Sequence, residues 1–210
     1  MPALLYTPTM PRLWDETIAA HRQGVRQAIM NSAAALAAEH GLLSLTMSQI
    51  AEQTGIGRAT LYKYFSSVED ILRAWHDQQI QAHLEELERV GRQKGSPRNR
   101  LRAVLTAYAE ILHGAVGHGD ELGAFLHNDK EIALAQHQLQ AMVQELLEVA
   151  AETGEVRTDI PGDELASYCI AALGAARRLP SRAAARRLAA VVVDGLLGRS
   201  RDGEVRTLDA

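Results

Sequence analysis

The sequence predicts an all-α fold, and three observations lead to that prediction. Apolar residues recur at spacings of three and four along most of the chain, which is the period of a helix with one buried face. Five tyrosines and two phenylalanines in 210 residues leave little that resembles a strand. Glycine and proline fall between the periodic stretches, where helices end. With 47% apolar residues, the chain can bury the core of one large or two modest domains.

The composition excludes several classes of protein. No apolar run approaches the ~18 residues that a membrane span needs. The single cysteine, Cys169, rules out an intramolecular disulfide framework and fits a reducing cytoplasm. The N-terminus contains prolines but lacks the cationic start and apolar stretch of a secretory signal. We therefore expect a cytoplasmic protein whose residues 1–16 form a flexible arm.

Two long helices are predicted in the first half of the chain. Between Thr17 and His40 the apolar residues recur on one face, and Gly41 ends the pattern. A second long helix is predicted from about Val68 to Val90. Its apolar stripe consists of Leu72, Trp75, Ile80, Leu84 and Leu87.

The remainder of the chain changes character at residues 89–102. This stretch combines Gly91, Gly95 and Pro97 with six basic residues, and we interpret it as a solvated connection between helices. After it, helical patterns are predicted near residues 98–117, 120–127, 130–153, 163–178 and 182–198. The polar residues 199–210 are expected to form a flexible tail.

The most informative segment begins at Thr46. Thr46 followed by Gln49 has the spacing of a capping box, so a helix is predicted to begin at Met47. Gly55 supplies the left-handed residue that closes this short helix. Ala51 is a small residue that allows a following helix to approach closely. The segment therefore has the local features of a helix-turn-helix.

The second helix of the motif is predicted from about Arg58 to Tyr64. Leu61 and Phe65 point to one side of it, toward the core. The opposite side carries Ala59, Thr60 and Lys63, and Tyr62 and Tyr64 flank that face. Small and hydrogen-bonding groups suit the major groove of DNA, and phenol hydroxyls suit the phosphates on either side.

The start of the next helix has two overlapping caps. Ser66 is paired with Glu69, and Ser67 is paired with Asp70. The two pairs predict helix starts that differ by only one residue. The amides at this helix start could also bind a phosphate.

The run from Thr46 to Phe65, Thr-x-x-x-Ile-Ala-x-x-x-Gly-Ile-x-x-x-Thr-Leu-Tyr-x-Tyr-Phe, closely resembles the signature of the TetR family. The resemblance extends from Arg22 to Trp75. It implies a recognition helix that Arg58, Ala59 and Thr60 open, with Arg58, Thr60 and Lys63 as base readers. The implied phosphate contacts are Thr46, Ser48, Tyr62 and Tyr64.

Two features weaken the electrostatic case for DNA binding. The net charge of −4 at pH 7 is not that of a basic DNA-binding chain, so the interpretation depends on the motif. Val68 stands where the family usually has a lysine. A phosphate contact is therefore lost, which should lower the salt sensitivity of binding slightly.

The resemblance also implies a domain organisation. Residues 17–75 form a three-helix DNA-binding domain, and residues 76–198 form a larger helical domain that dimerises and binds ligands. The expected partner is double-stranded operator DNA, bound by a homodimer. The expected interface residues are Leu165, Tyr168, Cys169, Ala172, Leu188, Val192 and Leu196. The alternative is that these residues pack within the monomer.

A small apolar or aromatic effector is expected in the second domain. The candidate ligand-binding residues are Trp75, His83, Tyr108, His113, Phe125, His127 and Met142. The alternative is a regulator without a small-molecule effector, controlled by a protein partner or by its own expression level. The default function of the family is repression.

An enzyme is the competing class of function. The sequence has no glycine-rich phosphate loop, no His-Glu-x-x-His and no serine in a nucleophile elbow. The histidines lack the spacing of a metal site. We therefore expect no catalytic residues, no metal and no cofactor.

Overall fold

The computed structural model describes residues 11–115 and 130–197, and its regular structure there is helical. The helices are α1 (Pro11–His40), α2 (Met47–Thr54), α3 (Arg58–Tyr64), α4 (Val68–Gly91), α5 (Pro97–Gly114), α6 (Lys130–Glu152), α7 (Gly162–Leu173) and α8 (Arg182–Gly195). Short 3-10 helices occupy Leu42–Ser44 and Gly174–Arg178. The all-α prediction is confirmed. No described helix combines the length and the apolar character that crossing a membrane requires.

The chain divides into two compact units, Met1–His76 and Asp77–Ala210. In the first unit, α1 packs against α2 and α2 packs against α3. The side chains buried there are Ile29, Met30, Ala33, Leu45, Met47, Ile50, Ala51, Leu61, Phe65, Ile71 and Leu72. This core contains both helices of the predicted motif.

Helix α1 begins earlier than the sequence indicated. Residues 11–16 were expected in a flexible arm, but they belong to the helix. Pro11 occupies its first position, where the missing amide hydrogen is not needed for a helical hydrogen bond. Residues 1–10, the helix expected at 120–127 and the tail expected at 199–210 lie outside the described residues.

The second unit has its core between α5 and the helices that follow it. Helix α5 packs against α6, α7 and α8, and α6 packs against α7. The second part of α4 contributes Leu84, Leu87 and Val90 to this core. Arg102 lies 4.0 Å from Asp194, and Glu110 pairs with Arg186. These two pairs show that α5 and α8 run antiparallel.

The connection predicted at residues 89–102 is shorter than expected: residues 92–96 link the helices, while 89–91 belong to α4 and 97–102 to α5. Arg89 and Arg92 pair with Glu86 and Glu88 on α4, at 2.6 and 2.7 Å. Gly91 is buried, and a Cβ atom there would lie only 3.3 Å from Cγ2 of Val104. The close approach of α4 and α5 at this point therefore favours glycine, because a larger residue would require Val104 to shift.

The start of α5 is held by an acidic residue from a distant part of the sequence. Ser96 caps the helix by accepting from the Asn99 amide at 3.3 Å. The Glu155 carboxylate accepts from the Ser96 hydroxyl at 3.1 Å and from the Arg98 amide at 2.9 Å. A carboxylate at a helix start satisfies a free amide and interacts favourably with the helix dipole.

Replacing Glu155 with Ala should lower the free energy of unfolding by about 1–2 kcal/mol, because two hydrogen bonds to a charged acceptor are lost. Urea denaturation followed by circular dichroism measures the change. The matched control is Glu145→Ala on the exposed surface of α6, which should change stability by less than about 0.5 kcal/mol. Equal effects of the two substitutions would contradict the assigned role of Glu155.

Candidate nucleic-acid interface

Helix α2 begins with the capping box that the sequence predicted. The Thr46 hydroxyl accepts from the Gln49 amide at 3.3 Å, and the Gln49 side chain accepts from the Thr46 amide at 2.8 Å. Two amides at the helix start are thereby satisfied. Thr46 and Ser48 are both exposed at this end of the helix.

The turn between α2 and α3 depends on Gly55. Gly55 has φ 68° and ψ 16°, a left-handed conformation that L side chains rarely adopt. The amide of Ile56 donates to the Ala51 carbonyl at 3.2 Å, which closes the end of α2. The Gly57 carbonyl then accepts from the Thr60 amide at 2.9 Å, and α3 begins.

Helix α3 separates its core side from its solvent side, as predicted. Leu61 is fully buried, and Phe65 is 5% exposed at the residue that follows the helix. Tyr64 is half-buried. The remaining candidate DNA-binding residues on α3 are all exposed: Arg58, Ala59, Thr60, Tyr62 and Lys63. A seven-residue helix thus presents a short row of polar and basic groups to solvent.

The charges of the first unit are unevenly paired. Arg73 pairs with Glu69 at 2.8 Å. Among the side chains that the structure describes in residues 17–76, the Arg and Lys residues without a carboxylate partner are Arg22, Arg26, Arg58 and Lys63. Unpaired cations can bind phosphates without first breaking an ion pair, which favours an anionic partner despite the net negative charge of the whole chain.

Ser67 provides the cap of α4. Its hydroxyl accepts from the Asp70 amide at 3.0 Å. Ser66 donates instead to the Asp70 carboxylate. The hydrogen bond from Ser66, followed by that from Ser67, lowers the pKa of Asp70 below its usual value. Of the two predicted caps, the structure therefore uses the Ser67–Asp70 pair, while Glu69 binds Arg73.

One contact in this unit was not foreseen from the sequence. The guanidinium carbon of Arg26 lies 4.2 Å from the centre of the Phe65 ring. Arg26 stands three and four residues before Ile29 and Met30, on the buried stripe of α1. A charged residue on an apolar stripe is the sequence signal that could have indicated a specific partner.

Four of the seven candidate effector residues lie in the described part of the second unit. His83, Tyr108, His113 and Met142 are half-buried in the second unit, and burial raises the pKa of the Tyr108 phenol. Trp75, also half-buried, belongs to the first unit. Phe125 and His127 lie outside the described residues. Nδ1 of His113 is buried and makes no hydrogen bond within the part of the chain that the structure describes.

A surface cavity of about 290 Å³ occurs in the first unit. It is bordered by α1 and the turn after α2, and its lining residues are His21, Gly24, Val25, Ala28, Ile29, Thr54 and Ile56. None of the candidate effector residues contributes to it. Within the described ranges, no three His, Cys, Asp or Glu side chains are grouped as metal ligands.

The structure corrects most of the expected dimer interface. Leu165, Cys169, Val192 and Leu196 are at most 5% exposed, because they form the core between α7, α8 and α5 of the same chain. Side chains buried in this way cannot contact a partner. Ala172 and Leu188 are half-buried, and Tyr168 is 49% exposed.

Two exposed side chains define a different surface on the same helices. Val191 on α8 is 66% exposed. The Tyr168 hydroxyl on α7 lies close to Gly195 on α8, 3.6 Å from where a Cβ atom would stand if Gly195 had a side chain. Tyr168 therefore crosses from α7 to α8. We call the exposed surface formed by Tyr168 and Val191 the α7–α8 face.

The described fold, with a capped helix-turn-helix followed by a separate helical unit, is that of DNA-binding transcriptional regulators. Two family models match the chain. Residues 29–75 match bacterial regulatory proteins of the tetR family, and residues 96–198 match the C-terminal domain of SbtR-like transcriptional regulators. The chain belongs to the TetR family.

Solved structures of the family share the fold. A TetR/AcrR-family regulator from Thermobifida fusca has a TM-score of 0.72 and 20% identity, covering 81% of this chain and 97% of that one. FadR from Bacillus subtilis, solved with stearoyl-CoA, has a TM-score of 0.63 and 18% identity, covering 81% and 98%.

A relative is also found by sequence. The fatty acid metabolism regulator protein of Bacillus subtilis is 29% identical over 86 residues. The match covers 41% of this chain and 44% of that protein, so the chain matches less than half of the relative's length.

The burial of Cys169 has a chemical consequence. Burial raises the pKa of its thiol to about 12, so at pH 8 only about one molecule in 10⁴ carries the reactive thiolate. Labelling of the native protein with a disulfide reagent at pH 8 should be at least about 100-fold slower than labelling in guanidinium. Similar rates in the two conditions would contradict the interior position of Cys169.

Proposed function

We propose that this TetR-family regulator is a cytoplasmic homodimeric repressor of a palindromic operator, released by a small-molecule effector. The observation that supports operator binding best is the exposed side of α3. Arg58 and Lys63 stand there without carboxylate partners among the described residues, and Thr60 lies between them in the sequence. Arginine and lysine bind guanine O6 and N7, and threonine binds any of several base edges.

The groups around α3 fit the phosphates on either side of a major groove. Tyr62 and the half-buried Tyr64 carry hydroxyls on the two flanks of the helix, and Thr46 and Ser48 are exposed at the start of α2. Contacts of this kind fix the register of a protein on DNA without reading sequence. The proposed base readers are therefore Arg58, Thr60 and Lys63, with Ala59 allowing close approach to the bases.

A palindromic site follows from a twofold dimer. The α7–α8 face is apolar and exposed at Tyr168 and Val191, so a second copy is its proposed occupant. The half-buried Ala172 and Leu188 are included in the proposed interface. Two recognition helices related by a twofold axis enter successive major grooves about 34–36 Å apart.

Release requires an effector that prefers a different separation of the recognition helices. Its proposed site lies near His113, whose Nδ1 atom is buried and unpaired among the described residues, with Tyr108 and Met142, half-buried in the same unit, as further candidates. The proposed effector is small and apolar, with one group that hydrogen-bonds to His113. Acyl-CoA thioesters are a class to test, because one relative is a fatty acid metabolism regulator and one structural neighbour binds stearoyl-CoA.

The α3 assignment predicts a loss of sequence preference. The triple variant Arg58→Ala, Thr60→Ala, Lys63→Ala should lower the preference for a palindrome selected from random duplexes, relative to a scrambled duplex, by at least about 10-fold. Titrations at several salt concentrations measure both affinities. The control is Lys94→Ala, which removes an exposed charge outside α3. Equal losses on both duplexes would overturn the assignment of these three residues as base readers.

The dimer assignment predicts that Val191→Glu yields a monomer, because a dimer would then bury an unpaired carboxylate. The affinity of this variant for the palindrome should also fall, because it no longer dimerises. Sedimentation and operator titration measure the two effects. Leu134→Glu is the matched control, since Leu134 is 52% exposed on α6. This variant should remain dimeric. A Val191→Glu variant that stays dimeric would refute this interface.

The effector assignment predicts that an acyl-CoA or an aromatic acid releases the operator, and that His113→Leu raises the concentration needed by about 5-fold or more. Fluorescence anisotropy of labelled operator measures release. His137→Leu, on the exposed surface of α6, is the control and should behave as wild type. If none of the compounds releases the DNA, the alternative is favoured, namely a regulator controlled by a protein partner or by expression level.

A further inference from the structure

Arg26 occupies a position where the period of α1 predicts an apolar side chain. Ile29, Met30 and Ala33 follow it at spacings of three, four and seven, and all three are buried. Arg26 itself is half-buried. An arginine on such a stripe buries its aliphatic stem and needs a partner for its guanidinium group.

The partner is the ring of Phe65, at 4.2 Å from the guanidinium carbon. Phe65 is the residue at which α3 ends, and its amide donates to the Leu61 carbonyl at 3.1 Å. The ring is 5% exposed and Arg26 is half-buried, so the contact is partly shielded from water. Cation–π contacts are stronger where water is excluded, and the planar guanidinium group stacks better than an ammonium group.

No carboxylate competes for Arg26 among the described residues. Glu69 is paired with Arg73, and the Asp70 carboxylate accepts from Ser66. The contact with Phe65 is therefore the specific interaction that the structure assigns to this guanidinium group. It connects α1 directly to the end of α3.

We propose that Arg26 is a positioning residue for the recognition helix, acting through Phe65. The proposal rests on the DNA-binding function proposed above. Helix α3 has only seven residues, so the position of its last turn depends on what holds Phe65. Base contacts require a hydrogen-bonding geometry that a small shift of the helix destroys. Contacts to phosphates tolerate such a shift, because they depend mainly on charge.

The test compares affinities for the selected palindrome and for a scrambled duplex of equal length, at several salt concentrations. Arg26→Met should lower the preference for the palindrome by about 3- to 30-fold, with the salt dependence unchanged. Arg26→Lys keeps the charge and the stem, and should recover part of the preference. All titrations are made below the unfolding midpoint of each variant, as monitored by circular dichroism.

Arg22→Met is the matched control. Arg22 is an unpaired cation one helical turn earlier on α1, and it is exposed and makes no contact with a ring among the described residues. Its substitution should leave the preference unchanged, because loss of a phosphate contact at Arg22 would lower the affinities for both duplexes equally. Phe65→Leu removes the same contact from the other side, so combining it with Arg26→Met should cost less than the sum of the two separate effects.

Each outcome decides the proposal. An unchanged preference in Arg26→Met would overturn it. Equal losses on both duplexes, with the salt slope reduced by about 0.9, would identify Arg26 as a phosphate contact and also overturn it. If Arg26→Met does not fold, the preference for the palindrome is compared between Arg26→Lys and Arg22→Lys. A lower preference in Arg26→Lys alone supports the proposal, and equal preferences overturn it. If the wild-type protein shows no preference for any duplex, the proposed function fails first, and this proposal fails with it.

Discussion

A helix of seven residues has little stability of its own in water, so α3 depends on the side chains that anchor it. Leu61 fixes its middle and Phe65 fixes its end, while Gly55 closes the turn before it in a left-handed conformation. Because these apolar anchors hold one side, the other side is free to carry polar and basic groups. The proposed recognition surface is therefore built on the core of the first unit, so a change that loosens this core also displaces that surface.

The local features of this unit were predictable from sequence. Thr46 with Gln49 and the left-handed Gly55 located both ends of α2, and the two overlapping serine caps located the start of α4 to within one residue. The bounds of α3 and the exposed position of Lys63 followed from the helical period. The placement of Arg58, Thr60 and Lys63 as base readers came from the resemblance to the family, and it remains a prediction.

Contacts between distant residues were not predictable. Glu155 binds the start of α5 at Arg98, 57 residues away, and Arg26 reaches Phe65 from another helix. The prediction that Cys169 and Val192 lie at a dimer interface was wrong for a related reason. Both helices, α7 and α8, carry small and apolar residues on several sides, so the sequence showed that they pack closely without showing which side faces their own chain. Burial within the chain identified Tyr168 and Val191 as the exposed positions.

The claim that α3 enters the major groove is tested most directly by dimethyl sulfate protection of guanine N7 on a bound duplex selected from random sequence. N7 faces the major groove, so a recognition helix shields it. The account predicts two protected regions about 10 base pairs apart, related by the symmetry of the site. Protein-bound duplex without major-groove protection, or with one protected region only, would contradict it.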